Sequence, residues 1–144
     1  EAAKQFAMQA AVLSQNPPHD ATTWQEVVKL WEEAIARLEE IASDNPGYLE
    51  AQSKLAQYKT NLAQVQIRLQ AELDSVEALE VAQRQIEQFI ASIPQDGSPA
   101  DRNFLLSELQ SIINQLSKVK PGTTASQEAQ QLQQFAQGKL QELQ

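Results

Sequence analysis

Between Gly47 and Pro94 the chain contains neither proline nor glycine, and apolar residues recur across that stretch at alternating steps of three and four. The series runs Tyr48, Ala51, Leu55, Tyr58, Leu62, Val65, Leu69, Val76, Leu79, Ile86, Ile90 and Ile93, with only Glu72 and Gln83 polar in the same register. This spacing is that of an α-helix presenting one stripe to neighbouring helices, and strand-type alternation is absent. A helix of about 46 residues is roughly 70 Å long at 1.5 Å rise per residue, too long to fold back inside one compact domain. Asp74-Ser75 is the one weak point, and both residues are tolerated on an exposed helical face. One continuous helix from about 47 to 94 is therefore expected.

The other breakers cluster at Asn16-Pro17-Pro18-His19-Asp20, Asp44-Asn45-Pro46-Gly47, Pro94 to Asp101 and Lys120-Pro121-Gly122. Everything between them has the helical period. A first helix is expected over about 1–15, with Phe6, Ala10 and Leu13 on one side. A second is expected over about 21–44, with a stripe of Trp24, Val27, Trp31, Ala34, Leu38 and Ile41. Thr22 with Gln25, or Thr23 with Glu26, offers that helix a capping box. Further on, Ser98 is expected as an N-cap, with Pro99 in the first helical position and Asp101 facing the dipole. That helix carries Leu105, Leu109, Ile112, Leu116 and Val119, and after Pro121-Gly122 Thr124 with Gln127 is positioned to cap a last one.

Laid side by side, the two halves share helix, Pro-rich loop, helix, Pro-Gly turn and helix, at a period of about 75 to 80 residues. Leu38 falls opposite Leu116, Trp31 opposite Leu109, Pro46-Gly47 opposite Pro121-Gly122, and Leu55 with Tyr58 opposite Leu132 with Phe135. The expected fold class is all-α, with two tandem antiparallel three-helix bundles (1–72 and 73–144) sharing the long central helix. Two antiparallel neighbours per half cover each apolar stripe.

Composition narrows the chemistry. A chain of 144 residues is long enough to bury roughly 68% of its unfolded surface without covalent staples. It has no cysteine, which removes disulfides and thiolate metal sites. A formal charge of −8 and a pI near 4.6 argue against nucleic acid or an anionic membrane as partner. No stretch approaches the ~20 apolar residues of a membrane span. The first residue is Glu1 rather than Met, so a segment of a larger chain is expected, and compartment is not readable from these residues.

His19 is the sole histidine and sits in a Pro-rich loop with no Ser or carboxylate pattern to make it a base. Zinc needs three or four ligands, Glu-x-x-His pairs are absent, and no Gly-rich phosphate loop occurs, so no catalytic residue, metal or cofactor is expected. Glu26, Glu33 and Glu40 recur one heptad apart, with Glu32 and Glu39 beside them, and Glu33 precedes Arg37 by four residues. Such a stripe is a solvated face or a docking face for a basic partner or divalent cations. Trp24 and Trp31 fall on the seam, where core packing is expected over ligand contact, and Trp24, nearer the helix end, is the better candidate of the two for partial exposure. The residues expected to touch a partner are His19, Trp24, Glu26, Glu33 and Glu40.

The segment "AIARLEEIASDNPGYLEAQSKL" resembles the junction between tetratricopeptide repeats over residues 34–58, in the spacing of Ala34, Leu38, Pro46 and Leu55. It departs at Ala56, where that family prefers glycine, and no turn follows Tyr58. The chaining of three-helix units through a shared helix is similar to spectrin repeats, with Trp31 resembling their core tryptophan. The pattern of Trp, Ala-Ile, Asn-Pro-x-Tyr, Ala-Gln and Lys-Leu also looks like helical repeat segments of cyanobacterial proteins. Rod-like stacking and the intact heptad register favour a non-enzymatic scaffold or spacer module mediating protein–protein interaction, and charge and hydropathy argue against nucleic-acid binding or membrane insertion in this segment. A bundle holding a small ligand or pigment between its helices, and a self-assembling coiled-coil element, are the rival expectations.

Overall fold

The computed structural model describes all 144 residues. Five helices follow one another: α1 (Ala2–Leu13), α2 (Ala21–Glu39), α3 (Tyr48–Ala91), α4 (Arg102–Leu116) and α5 (Ser126–Leu143). The fold is all-α, two tandem antiparallel three-helix bundles that share α3 as one unbroken helix. Internal contacts divide the chain into unit 1, Glu1–Ala71, and unit 2, Glu72–Gln144. No helix is long and apolar enough to cross a membrane.

Each unit closes around its own core. In unit 1 α1 contributes Ala3 and Ala10, α2 Val27, Trp31, Ala34 and Leu38, and α3 Ala51, Leu55, Tyr58 and Val65. The rings of Trp31 and Tyr58 lie 5.3 Å apart across the α2–α3 seam, within the range where aromatic pairs attract. In unit 2 Ala82 and Phe89 of α3 meet Leu105, Leu109, Ile112 and Leu116 of α4 and Ala129 and Ala136 of α5.

Helix ends depart from the sequence expectation in a consistent way. α2 is capped by Asp20, whose carboxylate accepts from Thr23 N–H at 2.9 Å, and not by a Thr22 or Thr23 box. α4 begins at Arg102, capped by Asp101 through Phe104 N–H at 3.2 Å, and not at Pro99. There Asp96 accepts from Ser98 N–H and Gly97 adopts φ +83°, so the chain is still turning where a Ser98 cap would need it to enter the helix. In both cases an aspartate closing a Pro-containing loop outcompetes the Ser/Thr candidates, because a carboxylate also meets the positive end of the helix dipole. α2 stops five residues before the expected 44. Ile41 N–H folds back to Leu38 O, and the Asn45 side chain takes Gly47 N–H at 2.8 Å in an Asx turn. α3 ends at Ala91, where Ser92 Oγ donates to Phe89 O and Ile93 precedes a proline that disfavours helical backbone.

The Thr23 backbone N–H, and then its hydroxyl, hold the Asp20 carboxyl below its ordinary value of 3.8. A carboxyl that protonates at lower pH when folded than when unfolded stabilises the fold above that ordinary value. The contribution disappears as pH falls through the folded value. Asp20→Asn keeps an accepting oxygen without the charge. The stability difference between wild type and D20N, followed by urea melts, is expected to shrink on going from about pH 5 to about pH 2. A difference independent of pH would contradict the role of the charge.

The second half of α3 buries a different stripe from the one its large aliphatic residues suggest. Phe89 is 3% exposed while Ile90 is 51% exposed, and Glu72 and Ser75, at 1% and 0%, are among the most buried side chains. Ser75 therefore does not lie on an exposed face. Its Oγ accepts from Lys120 N–H at 2.9 Å. One Glu72 carboxylate oxygen accepts from Thr124 N–H at 2.9 Å and the other from the Thr124 hydroxyl. The expected Thr124–Gln127 box does not form because Thr124 is already engaged by α3. Gln83, the other polar residue of the register, donates to Glu128 in the first turn of α5.

Backbone bonds at the helix ends match at an offset of 78 residues, from Ile41 to Val119, which only some of the pairings expected from the sequence share. Ile41 N–H to Leu38 O matches Val119 N–H to Leu116 O, Tyr48 N–H to Asn45 O matches Ser126 N–H to Thr123 O, and Ala51 N–H to Gly47 O matches Ala129 N–H to Ala125 O. On that constant offset Pro46 stands opposite Thr124 and Gly47 opposite Ala125, so the two Pro-Gly pairs are not equivalent. Gly122 takes φ +79°, whereas Gly47 does not have a positive φ. Tyr58 stands opposite the buried Ala136, and Phe135 is instead exposed.

Candidate functional site

All five residues singled out from the sequence fall in unit 1, on α2, in the loop that enters it and, for Glu40, at the C-cap that ends it. That loop leaves α1 through Asn16 at φ +60°, a conformation asparagine tolerates, followed by Pro17-Pro18. His19 is then held with Nε2 2.7 Å from Gln15 O. A carbonyl can only accept, so Nε2 carries the proton. The imidazole also meets the Trp24 ring edge-on at 5.2 Å.

Trp24 is 3% exposed, packed in the core as its place on the seam implies, with no partial exposure at the helix end. The His19 ring and the Arg68 guanidinium of α3, 5.4 Å from the Trp24 ring, close over it. Arg68 was not recognisable from the sequence, because what places it is packing between α2 and α3. Ser14, Trp24, Trp31, Asn61, Gln64 and Arg68 line a cleft of about 250 Å³. That is below the ~300 Å³ at which pockets begin to enclose a drug-sized ligand.

Glu26, Glu33 and Glu40 share one flank of α2, as their heptad spacing requires. Arg37 sits among them, 3.6 Å from Glu33 and 2.9 Å from Glu40. Glu26 has no ion pair. The Glu33 and Glu40 side chains remain more than half exposed, so the Arg37 pairs contribute only about 0.2–1 kcal/mol each and leave the flank available to solvent. Glu39 lies on the opposite flank and faces Lys59 of α3 at 4.0 Å.

Beside the acidic flank lies an apolar surface. Met8 is 67% and Val12 63% exposed on α1. With Gln9, Leu13 and Leu30 they line an open groove of about 500 Å³. The sequence did carry a signal for this pair: Met8 and Val12 are four apart and fall off the Phe6–Ala10–Leu13 stripe. Leu30 lies between Glu26, four residues earlier, and Glu33, three later, so the apolar and acidic strips adjoin along α2. The arrangement is that of a contact surface with an apolar centre and a charged border. No group of three or more His, Asp or Glu side chains converges to hold a metal ion. No protein-family model matches the chain, and neither curated proteins nor solved structures show a significant similarity to it.

Proposed function

We propose that this chain is a non-enzymatic helical scaffold or spacer module that binds protein partners, with the acidic flank of α2 as its docking face. One observation carries the reading: Glu26, Glu33 and Glu40 are solvent-exposed in one row directly beside exposed apolar side chains. Isolated exposed apolar residues are ordinary, but a contiguous strip rimmed by charge is characteristic of an interaction surface. The unbroken α3, shared by both units, supports the scaffold part of the reading.

The test compares the wild-type chain with Glu26→Gln/Glu33→Gln/Glu40→Gln, which removes three charges and keeps good helix formers. Both are immobilised, exposed to lysate and analysed by quantitative mass spectrometry, with circular dichroism confirming equal helicity. Proteins retained by wild type are expected to fall about tenfold on the triple variant, since rim charges set association and selectivity. An identical set of retained proteins on both would remove α2 as the docking face.

A further inference from the structure

We propose that the groove between α1 and α2 receives an amphipathic helix with an apolar ridge and a basic flank, an inference that rests on reading the acidic face of α2 as a docking face. α1 spends Ala3, Phe6, Ala10 and Leu13 on the core of unit 1. Met8 and Val12, one turn apart and outside that stripe, have no partner in the core and stand exposed. Leu13 and Leu30, both partly buried against the core, complete the groove floor. Three or four apolar side chains in a row match the i, i+3, i+4, i+7 anchors of a helix laid in a groove.

Charge decides between the occupants. The border on α2 is Glu26, without an ion pair, and Glu33, shared with Arg37, with the exposed Lys29 one turn from each, so that with Glu40 three carboxylates face two cations along this flank. On α1 the one basic residue, Lys4, lies one turn before Met8. A second copy docking by the same face would bring these carboxylates towards their own counterparts, and each chain already carries a net charge of −8. Juxtaposed like charges disfavour that pairing, whereas a helix with lysine or arginine beside its ridge finds complementary charge.

The experiment titrates the full chain, labelled for amide NMR, with a synthetic helical peptide of about 18 residues bearing a leucine ridge and lysine flanks. A peptide with glutamate in place of every lysine is the control. The lysine peptide is expected to shift the amides of Met8, Val12, Leu13 and Leu30, and the glutamate peptide to leave them unmoved. Met8→Gln/Val12→Gln alters only side chains that are largely exposed, so the fold is retained. Its affinity for the lysine peptide is expected to fall at least about tenfold, a loss of about 1.4 kcal/mol.

If the lysine peptide shifts Glu26 and Glu33 but binds the double variant unchanged, the groove proposal fails while the acidic docking face stands. If it shifts nothing on α2, both fail. Concentration-dependent dimerisation of the wild type, abolished in the double variant, would replace the helical partner with a second copy.

Discussion

Replacing Glu72 by alanine is expected to destabilise unit 2 by about 1.5–3 kcal/mol, the range for hydrogen bonds to a charged group, and Thr124 is itself exposed, so water takes up part of what its N–H loses. Glu72 is 1% exposed and its two oxygens take the Thr124 N–H and hydroxyl. The carboxylate lies beside the first turn of α5, where unsatisfied backbone N–H groups favour negative charge. Truncation leaves the Thr124 N–H without its acceptor and opens a void next to Ser75. Glu72→Gln retains an oxygen for the N–H and is expected to lose less than half as much as alanine. Both tryptophans lie in unit 1, so fluorescence follows that unit while far-UV circular dichroism follows both. In Glu72→Ala the dichroism transition in urea is expected to move to lower denaturant ahead of the fluorescence transition. An unchanged midpoint would show that α5 does not depend on this carboxylate.

Trp31→Ala is expected to cost unit 1 about 3–5 kcal/mol, the range for removing a large aromatic side chain from a core. Trp31 is 7% exposed and stacks at a tilt of 57° on Tyr58, itself 8% exposed. Its loss removes the aromatic pair that joins α2 to α3 in the unit 1 core. Trp31→Phe keeps a ring against Tyr58 and is expected to lose about half as much, since an aromatic pair adds about 0.5–1.5 kcal/mol beyond area burial. Urea denaturation followed by the remaining Trp24 emission measures both variants. A loss under about 1 kcal/mol for Trp31→Ala would mean that the site collapses around the gap, which a core packed to crystalline density does not readily do.

The two predictions draw on different levels of readability. Trp31 as a core residue could be read from its place in the α2 stripe, because a helix fixes which side chains share a face. The seam of the first half of α3 was equally readable: Ala51, Leu55, Tyr58 and Val65 are buried as the period requires. The second half misleads. Val76 and Ile90 continue the apolar register in sequence, yet Ser75 and Phe89 take the buried positions. The face that α3 turns inward there is set by Lys120 and Thr124, which are distant in sequence. Glu72 seemed an interruption of the stripe for the same reason. Its acceptors are useful only when a loop offering the N–H and hydroxyl of Thr124 is placed against it.

The candidate surface divides similarly. The acidic row of α2 was evident from heptad spacing alone, and its exposure follows from lying off the Trp24–Leu38 stripe. The burial of Trp24 follows from its place on the seam, but the groups that cover it do not, since His19 folds back across a Pro-Pro loop and Arg68 arrives from α3. The helix caps show the limits of local patterns as well. Several Ser, Thr and Asp residues compete within each loop, and the loop path selects Asp20 and Asp101.

Local chemistry along the chain thus determined five helices, their order, the shared α3 and the acidic flank, because helical period, breakers and charge spacing act over a few residues. Tertiary structure alone decided the inward turn of Glu72 and Ser75, the groups that cover Trp24 and the adjoining of Met8 and Val12 to the acidic row. Each of these rests on groups far apart in sequence meeting at hydrogen-bond or van der Waals distance, where orientation counts and composition does not.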